Sequence, residues 1–82
     1  MTISYTAKAK EDLVQIEWRE RYRIIESLGK IEDQKKYSAF KKMHSSDYYK
    51  INFPKHLLIC TIDNDKFNVL TVIEKKKIRF PE

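Results

Sequence analysis

HLLICTIDNDKFNVLTVIEKKK, residues 56–77, decides the fold. Two apolar runs, Leu57–Ile62 and Phe67–Ile73, flank Asp63-Asn64-Asp65-Lys66, a cluster of turn formers. Each run reads as a strand. Leu57–Ile62 is apolar on both faces, the pattern of a central strand. Leu58, Cys60, Ile62, Val69 and Val72 are the expected core. Just upstream, Tyr49, Ile51 and Phe53 alternate with Lys50 and Asn52, which gives another strand with one apolar and one polar face. Pro54-Lys55 separates it from His56. Short connections make these three strands an antiparallel meander. Downstream, Ile78-Arg79-Phe80 either extends the sheet or forms a tail.

The first half has a different period. Ile3-Ser4-Tyr5 is short and alternating, and Thr6 suits a helix N-cap. No glycine or proline interrupts Ala7 to Leu28. Leu13, Ile16, Ile24 and Leu28 lie along one stripe, and Val14, Trp18, Tyr22 and Ile25 along a neighbouring one. Together they make a broad apolar face at helical period. The segment is either one bent helix or two joined near Trp18, with Trp18 or Ile25 packed on the sheet. Gly29 either caps its end or lies inside a second helix running to about Asp33. Tyr37, Phe40 and Met43 recur every three residues, a spacing compatible with helix, and His44-Ser45-Ser46-Asp47 reads as a turn. The expected class is α+β: a short N-terminal strand, then one or two helices packed on a small antiparallel sheet, in the order β-α-(α)-β-β-β.

Eighty-two residues make a single domain, 1–82, with a thin core. No run approaches the ~18 apolar residues of a membrane span, and the N-terminus lacks the apolar segment of a signal peptide. A single cysteine, Cys60, cannot form an internal disulfide. A cytoplasmic protein without membrane contact is therefore expected. The net charge is +5, and it is segregated. Residues 1–33 carry six basic and seven acidic groups, whereas residues 34–82 carry eleven and five. Such a basic half suits an anionic partner, nucleic acid above all.

No phosphate-binding glycine loop, metal-ligand spacing or serine-nucleophile motif is present. Neither a metal nor a small-molecule cofactor is expected; His44 and His56 alone do not make a zinc site. What remains is a set of cations that folded strands could gather on one surface: Lys41, Lys42, Lys50, Lys75, Lys76, Lys77 and Arg79, with Asn52, His56 and Phe80. Several adjacent cations would bind phosphate, and an aromatic ring such as Phe80 or Tyr48 would stack a base. On the residues alone, a lysine-rich surface that only keeps the domain soluble is the favoured reading.

The ordered set of local patterns resembles the RelE/ParE superfamily of small bacterial toxins, and the RelE branch in particular. ISYTAKAKEDL (3–13) is similar to the family's first strand and helix start. FKKMHSSDYYKINF (40–53) is similar to its lysine-lysine-apolar segment, turn and basic strand. The hairpin at 56–77 and the lysines after it complete the likeness, which covers nearly the whole chain. The resemblance implies an mRNA endoribonuclease, or mRNA interferase, acting on the ribosome. The ribose 2′-oxygen would attack the adjacent phosphate. Such a reaction needs a base, an acid for the leaving 5′-oxygen, and cations at phosphorus.

Residue by residue, the resemblance makes Lys50, His56 and Lys77 the catalytic set. Lys50 matches a family lysine. His56 stands where an arginine often holds phosphate, and its ordinary pKa of ~6.5 suits proton transfer. Lys77 falls near a second common arginine, with Lys75 and Lys76 as competing assignments. Lys41, Lys42, Asn52, Arg79 and Phe80 would complete the RNA contacts. Asn52 is neutral where the family carries a basic residue, and Phe80 can stack but cannot transfer a proton. Expected partners are mRNA, the ribosome and an antitoxin protein. Two alternatives stay open: a non-catalytic ribosome- or RNA-binding protein on the same fold, and a ParE-like inhibitor of DNA gyrase. His56 as a strand-end residue without catalytic duty also stays open.

Overall fold

The computed structural model describes residues 2–34, 40–43, 47–64 and 66–77. Strand β1 (Thr2–Tyr5) leads into helices α1 (Ala7–Gln15) and α2 (Trp18–Gln34). Strands β2 (Lys41–Lys42), β3 (Tyr48–Asn52), β4 (His56–Asp63) and β5 (Lys66–Glu74) follow, and Lys75–Lys77 close with a 3-10 turn. The sheet order is β1-β5-β4-β3-β2. The α+β class and the antiparallel meander β3-β4-β5 match the expectation. The sheet is nonetheless mixed, because β1 pairs in parallel with β5.

Thr6 fixes the entry to α1. Its hydroxyl accepts from the Ala9 N–H at 3.1 Å, a cap on the first turn, and donates to the Leu70 carbonyl at 2.8 Å. Leu70 is the residue that the β4–β5 register skips: Ile59 pairs with Thr71 and Cys60 with Val69. One hydroxyl thus ties the helix start to the irregular point of β5.

Two helices, not one bent helix, form the layer above the sheet. The chain turns extended at Ile16 (φ −83°, ψ 139°). Beyond it, the Glu17 carboxylate accepts from the Arg19 and Glu20 N–H groups at 3.2 and 3.4 Å. Arg21 reaches back and donates to the Leu13 and Val14 carbonyls at 3.3 and 3.5 Å. Free N–H groups at one helix start and free carbonyls at the other helix end are therefore both answered by side chains. Gly29 lies inside α2.

Ala9, Leu13, Ile24, Leu28 and Ile31 from the helices meet Ile51, Leu58, Cys60, Phe67, Val69 and Val72 from the sheet. Of the expected core, Leu58, Cys60, Val69 and Val72 are buried, and Ile62 is half-buried against that cluster. The second helical stripe, however, faces outward: Val14, Trp18, Tyr22 and Ile25 are 73%, 61%, 63% and 46% exposed. Trp18 and Ile25 do not pack on the sheet. The first stripe takes the buried side as expected, with Leu13 from α1 and Ile24 and Leu28 from α2, and Ile31 extends it by one turn. Burial raises the Cys60 thiol to a pKa of about 11, as befits a small core side chain.

Helical spacing at Phe40 and Met43 does not lead to a helix there. Lys41 and Lys42 pair with Lys50 and Tyr49, and Phe40 sets its ring edge against Phe67, centroids 5.0 Å apart at 74°. Tertiary pairing along β3 overrides the local period. Tyr37, the turn residues His44-Ser45-Ser46 and the segment Ile78-Arg79-Phe80 lie outside the described residues.

Asp12 joins α1 to the edge of β5. Its carboxylate accepts from the Thr71 hydroxyl at 2.6 Å and the Val72 N–H at 3.0 Å, and it pairs with Lys8. Desolvation pushes this carboxyl up, but the three hydrogen bonds and the Lys8 charge outweigh it and hold it below the ordinary carboxylate value. A lowered folded-state value stabilises the fold at neutral pH, and that stabilisation fades as acid protonates the group. Asp12→Ala is expected to cost about 2–3 kcal/mol at neutral pH. The difference from wild type should shrink below about pH 4. Urea melts of both proteins, near neutrality and in acid, check this; an equal difference in both would contradict it.

Candidate nucleic-acid interface

The pleat of β3 and β4 sorts the candidate residues onto two faces. Ile51 pairs with Leu58 and Tyr49 with Cys60, so these positions face the helices. Tyr48, Lys50 and Asn52 pair with Thr61, Ile59 and Leu57 and occupy the opposite, open face. Lys41 pairs directly with Lys50 and shares that face, whereas Lys42 pairs with Tyr49 and sits on the helix-side rim.

Two lysines directly opposite each other repel. Among the described residues, neither Lys41 nor Lys50 forms an ion pair. Lys41 is exposed and Lys50 half-buried, beside Ile59. The arrangement costs the free protein some stability and leaves positive charge available to an anion. Asn52 lies two residues along the same face, and Tyr48, 47% exposed, lies on the other side of Lys50. This is the chemistry of a phosphate contact with donor groups and an aromatic ring beside it.

His56 is elsewhere. It is 6% exposed, it shares the helix side with Leu58, and it stands opposite Glu74. Its Nδ1 has no hydrogen-bond partner among the described residues. The ring lines a cleft of about 480 Å³ with Asp12, Glu17, Glu20, Glu74 and Lys55 among its neighbours. Four carboxylates there outnumber the cations Lys8 and Lys55, a poor environment for phosphate. The carboxylates are engaged by the protein itself: Glu20 with Arg23 at 3.3 Å, Glu74 with Lys76 at 3.1 Å, Glu17 with the start of α2, and Asp12 with β5. The expected meeting of Lys50 and His56 in one pocket therefore does not occur. Strand alternation across the two-residue Pro54-Lys55 connection places them on opposite faces, with Phe53 N–H bonding His56 O at 2.9 Å to close the turn.

Lys75–Lys77 follow β5 at the sheet end that also carries Asn52 and Lys55, and the Lys75 N–H bonds the Lys55 carbonyl at 2.9 Å. Lys76 is held by Glu74, and Lys75 is half-buried. The Lys77 side chain, Arg79 and Phe80 lie outside the described residues. No group of three or more His, Cys, Asp or Glu among the described residues is placed to hold a metal ion, and no helix among them is long and apolar enough to cross a membrane.

Sequence reading missed the Asp12 tether, the Arg21 and Glu17 contacts that make the helical elbow, and the face on which His56 falls. Only the last left a signal. A two-residue connection between antiparallel strands pairs positions whose numbers add to a constant, and Lys50 then faces Ile59 rather than His56.

No family model and no curated protein sequence matches the chain. Solved structures do. The toxin-antitoxin complex RelBE2 from Mycobacterium tuberculosis is similar with a TM-score of 0.77 at 17% identity, covering 89% of this chain and 95% of that one. The isolated E. coli RelE toxin gives a TM-score of 0.74 at 16% identity, covering 89% and 82%. The chromosomal ParDE system from P. aeruginosa gives 0.66 at 14% identity, covering 90% and 95%. The chain has the RelE/ParE fold.

Proposed function

We propose that this chain is the toxin of a toxin-antitoxin pair and that it cleaves mRNA on the ribosome. The observation that carries the reading is the Lys41–Lys50 pair on the open sheet face, two adjacent cations without an acidic partner among the described residues. The fold shared with the E. coli RelE toxin supports it. Lys50 and Lys41 hold the scissile phosphate and stabilise the charge that builds on it. The substrate's own 2′-oxygen forms the new bond to phosphorus and the bond to the 5′-oxygen breaks. The products are a 2′,3′-cyclic phosphate and a 5′-hydroxyl; solvent water takes the 2′-hydroxyl proton and supplies one to the departing 5′-oxygen. Tyr48 offers its ring to a base, and the turn Lys75–Lys77 adds positive charge at the sheet end. The setting is cytoplasmic, where the ribosome is.

His56 supports the sheet end rather than moving protons. His56→Leu is expected to fold with stability within about 1 kcal/mol of wild type, since it removes an unpartnered buried nitrogen. Its RNA cleavage should stay within a few-fold of wild type. A folded His56→Leu protein without cleavage would return the proton-transfer role to His56.

RelBE2 was solved as a toxin-antitoxin complex, and on this reading an antitoxin segment covers the open face of this chain and neutralises Lys41 and Lys50. A second reading, a ribosome- or RNA-binding protein without catalysis, is favoured by the position of His56 on the far face. Purified protein added to a translation reaction separates the two: primer extension shows codon-phased cuts for the nuclease, and ribosome co-sedimentation without cuts for the binder. The third reading, gyrase inhibition, draws support from the fold shared with the ParDE system. It predicts loss of DNA supercoiling with mRNA intact.

A further inference from the structure

The outer face of α2 has no role in the reading above. Trp18, Tyr22 and Ile25 run along it at i, i+4 and i+7, they are 61%, 63% and 46% exposed, and Val14 extends the patch from α1. Gly29 continues the line at the next turn. It is the only glycine in the chain, and a Cβ there would meet nothing within 4 Å. Glycine inside a helix is less favourable than alanine, and neither a turn nor crowding within the protein calls for it. A bare stretch of helix backbone at the far end of the stripe from an exposed tryptophan suits the close approach of another surface.

We propose that a second copy of this chain covers the stripe, with the two α2 helices antiparallel about a two-fold axis between Arg23 and Ile24. That register sets Trp18 over the partner's Gly29, the largest side chain against the smallest, and Tyr22 against the partner's Ile25. The charges agree with it. The N-terminal half of α2 carries Arg19, Arg21 and Arg23 against one acid, Glu20; the C-terminal half carries Glu26, Glu32 and Asp33 against one base, Lys30. An antiparallel pair brings the positive half of each helix to the negative half of the other, and the helix dipoles oppose favourably. A parallel pair would set like against like. The contact is isologous, as a two-fold dimer requires. The stripe from Trp18 to Gly29 is about 16 Å long, so the interface is small and the dimer weak, with half-association on the order of 10–100 µM. The surface lies on the helix side, apart from the open sheet face, and the inference does not depend on RNA cleavage.

Sedimentation equilibrium of the full chain from about 1 to 500 µM tests it, with fluorescence of the single tryptophan followed over the same range. The expected result is a monomer–dimer equilibrium in which the Trp18 emission shifts to the blue as dimer forms. Gly29→Leu should leave the monomer folded and weaken association at least 10-fold, because the new side chain fills the place taken by Trp18. Arg19→Glu with Arg23→Glu should also weaken it, and adding Glu26→Arg should restore part of the loss. A monomer throughout, an association unchanged or strengthened by Gly29→Leu, or a dimer that leaves Trp18 emission unchanged would each overturn the proposal. So would protection of α2 from hydrogen exchange that appears only on adding a different protein.

Discussion

Leu58→Asp is expected to unfold the domain at room temperature. Leu58 has no exposed surface and sits between Ile51 and Val72 in the middle of the sheet. Truncation of a buried leucine alone costs about 2–5 kcal/mol. Aspartate adds a charge without a partner inside a single-layer core, and the group must either be desolvated or take up a proton. A chain of this length has about 4–12 kcal/mol of total stability to lose. The circular dichroism melt should lose its cooperative transition. Leu57→Asp is the control: Leu57 points to the open face and is half-buried, and this variant should keep a transition. Equal behaviour of the two variants would mean that the assignment of faces is wrong.

Lys50→Ala is expected to lower mRNA cleavage by about 10²–10³-fold, the usual effect of removing one group that stabilises transition-state charge. The same change should leave the fold intact. It relieves the repulsion from Lys41, so stability should hold or rise by a few tenths of a kcal/mol, at about the size of a cross-strand pair effect. Loss of activity with gain in stability is what a binding site built from like charges produces. Lys41→Ala, at an exposed edge position, should cost less. Lys50→Arg keeps the charge and adds a planar fork, and it should retain more activity than alanine does. If Lys50→Ala instead lost activity and stability together, the defect would be structural rather than chemical.

The strands and their meander were legible because period-two alternation at Tyr49, Ile51 and Phe53 and the apolar runs on either side of Asp63–Lys66 depend on local pattern alone. Thr6 was legible as a cap for the same reason. The parallel pairing of β1 with β5 was not: four residues carry too little pattern to choose a partner more than sixty residues away. The stripe through Leu13, Ile24 and Leu28 was legible from helical period; the second stripe was wrongly added to the packed face, because Trp18, Tyr22 and Ile25 lie round α2 from it and a single helical layer buries only one side. Lys41 and Lys50 were singled out as cations, and only the β2–β3 register makes them neighbours. His56 was placed with them because folded strands were expected to gather these groups on one surface, and because the resemblance sets it where an arginine often holds phosphate. A tight turn sets residues of the same parity on opposite faces, so Lys50 and His56 part.

On the proposed function, the open sheet face at Lys50, and not the histidine on the other side, carries out the chemistry on RNA. Primer extension on actively translated mRNA, with folded wild-type, Lys50→Ala and His56→Leu proteins, tests it most directly. Codon-phased cuts are expected from wild type and His56→Leu and none from Lys50→Ala. Cuts from Lys50→Ala as frequent as those of wild type, or none from the folded wild-type protein, would contradict it.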